Sequence, residues 1–141
     1  MQGISLLMRN WQKLVIISLS VLLCGTVSAQ PEGYDVFVPI TKYIVQSNPD
    51  ALSTWFSDNL EISVLAKSTS ASRAQAKQIT KTFFETYTPR SFEITHTAGR
   101  ANMKYVLGNL NAGGENFLVT IFVTNKGESY KIQQFKIERQ Q

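Results

Sequence analysis

Apolar residues recur along this chain with two periods, every three or four positions in most of the stretch from Phe37 to Tyr87 and every second position after Phe92. Phe37, Ile40 and Ile44 stand at i, i+3 and i+7, with Val36 and Tyr43 beside them, the spacing of one helical face. Ser47-Asn48-Pro49 ends that helix and opens another. Asn48 suits an N-cap, and Pro49 suits the first helical position, where a missing N–H costs nothing. This second helix is short, offers Leu52, Trp55 and Phe56 to the core, and stops near Ser57-Asp58-Asn59. Leu60, Ile62 and Val64 then alternate with Glu61 and Ser63, which predicts a half-buried strand. Lys67 to Ser72 is polar and is expected to be a loop. Ser72 with Gln75 matches a capping box, in which hydroxyl and amide satisfy each other's orphan N–H groups at a helix start. Ala76, Ile79, Phe83 and Tyr87 mark the buried face of a third helix. It must end before Pro89, whose ring pushes Thr88 out of the helical region.

The last third alternates. Phe92, Ile94 and His96 share one face of a predicted strand, opposite Glu93, Thr95 and Thr97, and Gly99 breaks the run. Met103, Tyr105 and Leu107 form the next strand, ended by the turn Asn111-Ala112-Gly113-Gly114. Phe117 to Thr124 is the strongest strand signal in the chain, rich in β-branched and aromatic residues. Asn125-Lys126-Gly127 reads as a hairpin turn. Tyr130 to Ile137 is the final strand, with Tyr130, Ile132 and Gln134 on one face and Phe135 and Ile137 on the other. Short Gly-containing turns join consecutive strands into an antiparallel sheet, and the helices are grouped before it. The expectation is therefore an α+β fold, a curved antiparallel sheet wrapped around the long third helix, in the order helix, helix, strand, helix, four strands.

The first 29 residues have a different character. Arg9 and Lys13 precede the apolar run Leu14 to Cys24, and Val27 and Ala29 occupy the −3 and −1 positions of an A-x-A-like cleavage site. The run falls short of the roughly 20 apolar residues that span a bilayer. Residues 1–29 are read as a signal peptide and 30–141 as a single exported domain, periplasmic or secreted, with no membrane span of its own. Cys24 stands where a lipoprotein carries its acylated cysteine, but Leu23 before it is not the small residue such a site needs. Cys24 is also the only cysteine, so the mature domain has no thiol. That excludes a disulfide framework, a cysteine nucleophile and a Cys-ligated zinc site. The net charge of +4 is halved when Arg9 and Lys13 leave with the leader. The remaining basic residues are scattered without a stripe, so no nucleic-acid partner is expected.

The element order resembles the nuclear-transport-factor-2-like fold, also called cystatin-like, a cone-shaped sheet around a long helix. A closer resemblance rests on Leu52-Ser53-Thr54-Trp55-Phe56-Ser57-Asp58-Asn59-Leu60-Glu61-Ile62, Ala74-Gln75-Ala76-Lys77 and Phe83-Phe84. It continues through Pro89-Arg90-Ser91-Phe92, His96-Thr97-Ala98-Gly99-Arg100-Ala101, Tyr105-Val106-Leu107-Gly108 and Gly114-Glu115-Asn116-Phe117. In these segments, taken in order from about Asp35 to Arg139, the chain resembles DUF4783, a family of exported bacterial proteins defined as a domain of unknown function. The resemblance implies fold and export and carries no activity.

Chemistry is thinly signalled. His96 is the only histidine and, on a strand face looking into a cone, could act as a general base or a ligand donor. No serine, cysteine or carboxylate is tied to it by a motif, and a histidine bonded to backbone is the simpler reading. Asp58 is a second candidate base, at the start of the first strand, where cone-fold enzymes can place a carboxylate; a turn residue is the simpler reading. Trp55, Phe84, Tyr87 and Tyr105, with Arg90, His96 and Arg100 as polar fixtures, could line an apolar pocket. Lone histidine and absent thiols leave no metal site, and no cofactor is expected. The leading function is non-catalytic binding of a small apolar ligand or an envelope protein. The alternatives are an isomerase or hydratase-type enzyme using His96 or Asp58, and a structural dimer module. Because Phe117 to Thr124 is apolar on both faces, a homodimer through Leu118, Thr120 and Phe122 is also expected. N-terminal sequencing of the exported protein should begin at Gln30; a chain beginning at acylated Cys24 would overturn the signal-peptide reading.

Overall fold

Phe117, Val119, Ile121 and Val123 place every second residue of the strongest strand on one side of a sheet, and all four are fully buried. The computed structural model describes residues 35–125, 127 and 129–140; the expected leader, the entry to the domain and Lys126 lie outside them. Among the described residues the order is α1 (Phe37–Val45), α2 (Pro49–Ser53), β1 (Phe56–Val64), β2 (Lys67–Ser72), α3 (Arg73–Thr86), β3 (Pro89–Arg100), β4 (Met103–Ala112), β5 (Glu115–Asn125) and β6 (Tyr130–Arg139). The strands form one sheet, β2-β1-β6-β5-β4-β3. All neighbours are antiparallel except β1 and β6, which run parallel. The sheet is curved and unclosed, and this is the α+β architecture expected.

The helix starts follow their capping residues. Asn48 accepts a hydrogen bond from the Ala51 N–H at 3.1 Å, with Pro49 at the first position of α2. Ser72 and Gln75 close the capping box of α3 from both sides. Arg73 then ties the start of α3 to β1, donating to the Phe56 carbonyl at 3.1 Å and to Asp58 at 2.9 Å. From there Ala76, Thr80, Phe83 and Phe84 face inward. Phe83 meets Phe117 edge-on at 5.2 Å, and Tyr87, the C-cap, meets the same ring at 5.1 Å.

Three local readings are corrected. The segment Lys67–Ser72 is a strand rather than a loop, paired with β1 from Asn59↔Ser72 to Val64↔Lys67. Only Ala71 is buried along it, because it is the edge of the sheet and needs little apolar surface. Trp55 and Phe56 do not continue α2, which ends at Ser53; Phe56 begins β1 and packs against Phe135 at 6.1 Å. In β6 the register slips between Phe122 and Val123 of its partner, so that Gln134 faces Phe122 and Ile132 faces Val123. That bulge turns Ile132, Phe135 and Ile137 to the same side, and all three are buried, where strict alternation had split them.

Gly108 has a specific reason to be glycine. A Cβ there would come within 2.5 Å of the Phe92 ring, which lies across β4 from the neighbouring strand.

Phe83 is 3% exposed and holds α3 to the sheet. Phe83→Ala should therefore cost about 3–5 kcal/mol in denaturant unfolding, the range for truncating a buried aromatic. Lys81→Ala, on the exposed side of the same helix, should stay within about 0.5 kcal/mol. Equal losses would contradict this packing.

Candidate ligand groove

The inner sheet face and α3 do not close on each other everywhere. Ile62 and Val64 of β1 share a face with Thr69 and Lys67 of β2, which stand directly opposite them in the register. Across from this hairpin lies the flank of α3 carrying Ile79, Thr82 and Phe83. Between the two runs a groove of about 670 Å³, within the roughly 300–1,000 Å³ usual for small-molecule sites. Tyr87 and Leu65 stand at one end of it and Gln78 lines the helix side. The hydroxyls of Thr82 and Thr86 donate to carbonyls of their own helix at 3.0 Å. No aspartate, glutamate or histidine lines this groove, and Lys67 is its single charged residue.

Tyr87 is held by Arg139. The guanidinium donates to the Tyr87 hydroxyl oxygen at 2.6 Å and forms a two-pronged pair with Glu115 at 2.9 Å. It also lies 5.5 Å from the centre of the Tyr87 ring. The Glu115 carboxylate, with the Tyr87 oxygen, holds the Arg139 pKa above its ordinary value. Tyr87 accepts in this bond, and among the described residues its hydroxyl donates no hydrogen bond.

Of the seven side chains expected to form a pocket, only Tyr87 lines this groove. Trp55 is half-buried against the core just after α2. Phe84 is buried beside Phe83, 6.1 Å between ring centres, and reaches a separate polar cleft lined by Asp50, Lys77 and Lys81. In that cleft the Lys77 ammonium, 2.9 Å away, lowers the Asp50 pKa. Arg90 and Arg100 are exposed on β3.

His96 and Tyr105 do come together, at 5.9 Å between rings, but on the outer side of the sheet. The alternation that put His96 with Ile94 fails at a bulge. Ile94 pairs with Gly108 and His96 with Leu107, so Thr95 is the extra residue and His96 turns over. His96 is exposed. Asp58 is exposed as well, paired with Arg73. Among the described residues no three His, Cys, Asp or Glu side chains gather as a metal site, and no helix is long and apolar enough to cross a membrane.

Sequence reasoning missed Lys67 and Thr69 because their strand was read as a loop. It assigned Ile62 and Phe83 to the core, where they also belong. The usable signal was the breadth of the α3 face: Ala76, Ile79, Thr80, Phe83, Phe84 and Tyr87 exceed what one narrow stripe needs.

No curated protein matches this chain. A Bacteroides uniformis protein of the DUF4783 family is 24% identical, with a TM-score of 0.72 over 76% of this chain and 99% of that one. A second, from Bacteroides ovatus, is 21% identical, with a TM-score of 0.72 over 77% and 99%. A Nostoc punctiforme domain with a cystatin-like fold is 13% identical, with a TM-score of 0.60 over 74% and 73%. These likenesses carry the fold, and the model of the domain of unknown function DUF4783 matches residues 37–138. The chain therefore belongs to the DUF4783 family.

Proposed function

We propose that this protein is a binding domain which holds a small apolar molecule in the groove between α3 and the β1–β2 hairpin. The observation that carries this reading is the composition of the groove. Ile62, Val64, Leu65, Ile79 and Phe83 form its walls, and no aspartate, glutamate or histidine lines it. General acid–base catalysis needs a group within hydrogen-bond reach of the reacting proton. His96 lies on the other side of the sheet, and Asp58 is engaged by Arg73 at 2.9 Å. The isomerase or hydratase alternative is thereby left without either of its candidate residues in the groove. The leader supports placing the work of this domain outside the cytoplasm, after cleavage of residues 1–29.

Thr82 is exposed and lines the groove, so Thr82→Trp should fill it without disturbing the core. Titration with the uncharged fluorophore N-phenyl-1-naphthylamine should show saturable binding by the wild type, weakened at least about tenfold in this variant. The melting temperature should stay within a few degrees. Undiminished binding by a folded Thr82→Trp protein would contradict the groove reading.

We also propose self-association through the outer sheet face. There Tyr105 stands opposite Phe122, Leu107 opposite Thr120 and Asn109 opposite Leu118, while the described helices pack on the other side. Lys136 and Glu138 border this stripe, 3.1 Å apart. On a two-fold axis the lysine of one copy can meet the glutamate of the other, a self-complementary arrangement that suits a second copy. Sedimentation at micromolar concentration should report twice the protomer mass, and Phe122→Lys should halve it. A wild-type monomer would remove the proposal.

A further inference from the structure

We infer that the occupant of the groove is a single-chain amphiphile with an anionic head, of the fatty-acid type, whose head sits at Lys67 and whose tail runs between Ile79 and Ile62. This rests on the groove being a binding site and adds the chemical class and orientation of what it binds.

The one charged side chain and the tyrosine hydroxyl of the lining stand at the same end. Val64 pairs with both Lys67 and Ile137, and the Leu65 N–H donates to the Ile137 carbonyl at 3.0 Å. Arg139 lies two residues further along β6 and holds the Tyr87 hydroxyl. Lys67, the Leu65–Ala66 turn and Tyr87 therefore stand at the same end of the domain, where α3 finishes. The lining away from that end is Ile62, Thr69, Gln78 and Ile79, which offers a head group no charge.

The charge is one-sided. Lys67 is the single charged residue in the lining, and among the described residues it joins no ion pair. Other cations near this end are already engaged: Arg139 by Glu115 and Lys136 by Glu138. An anion entering here meets an unpaired ammonium and the free Tyr87 proton; a cation meets neither a carboxylate nor any other anion in the lining. The negative pole of α3 also points this way, but that field is screened and fades within one turn. The ammonium, in direct reach, outweighs it. Thr82 and Thr86 have spent their hydroxyl protons on helix carbonyls. They add no competing donor along the tail.

The backbone at the mouth is a second, independent observation. Leu65 and Ala66 form a two-residue hairpin turn with φ of 51° and 73°, the left-handed pair that Asn-Gly fills at least cost. Gly113 and Gly114 fill the equivalent turn between β4 and β5, with φ of 58° and 79°. A leucine and an alanine are strained here. The half-buried Leu65 side chain lines the groove at its polar end, so the strain holds an apolar wall beside the head-group site. Strain retained at such a place is what a ligand clamp looks like.

The test is calorimetric titration of the purified protein with three probes of equal tail length: dodecanoate, dodecanol and dodecyltrimethylammonium, each below its aggregation concentration. Dodecanoate should bind about fivefold tighter than dodecanol, the upper end for an ion pair open to water, and the ammonium probe should bind weakest. Lys67→Met keeps the apolar stem and should bring dodecanoate and dodecanol to equal affinity. Leu65→Asn/Ala66→Gly should melt higher than wild type yet bind both probes less well, which separates a binding effect from a folding one. Equal binding of dodecanoate and dodecanol by the wild type, or a preference that survives Lys67→Met, would overturn the anionic head while leaving the groove intact. Binding of none of the three, nor of N-phenyl-1-naphthylamine, would overturn the groove itself.

Discussion

The contact of Phe83 with Phe117 decides where the rest of this molecule closes and where it stays open. It pins the second half of α3 against β5, in the middle of the sheet. The start of α3 is tied to β1 through Arg73, and beyond it the flank carrying Ile79, Thr82 and Phe83 leaves the groove open against Ile62 and Val64. Ile62 is buried and Val64 half-buried along the sheet side of this groove. A core that filled this gap would need larger residues than Thr82 and Thr86 on that flank of α3. The chain has instead kept small, internally bonded side chains there.

Tyr87 connects that packing to the site. Its ring belongs to the aromatic cluster with Phe83 and Phe117, and its hydroxyl reaches Arg139 at the end of β6. Burial on one side and a charged, hydrogen-bonded partner on the other give it a fixed place at the groove mouth. The exposed Arg139–Glu115 pair contributes little to stability by itself. Its consequence is positional, because it orients a hydroxyl whose proton remains unused.

Much of the fold could be read from the sequence, because capping and alternation are local. Asn48 with Pro49, the Ser72–Gln75 box and the stop before Pro89 each state their structure within four residues. The third helix and the inward set of β5 followed from periodicity alone. What escaped was non-local. β2 carries almost no apolar residue, since an edge strand needs only backbone partners. The bulges at Thr95 and in β6 shift alternation by one, and a one-residue slip moves a side chain to the other face. That slip carried His96, the most attractive candidate base, out of the cone. The groove was illegible for a related reason: its residues are ordinary core and surface types, and only the gap between two elements distinguishes them.

The central claim is that the gap between α3 and the β1–β2 hairpin is where this DUF4783 domain meets its ligand. The most direct measurement is backbone amide chemical-shift mapping by NMR during titration with dodecanoate. The account predicts shifts confined to Ile62–Thr69, the segment Gln78–Tyr87 and the neighbouring end of β6. Shifts centred instead on Leu107, Leu118 and Phe122, or on the cleft between Asp50 and Lys81, would contradict it.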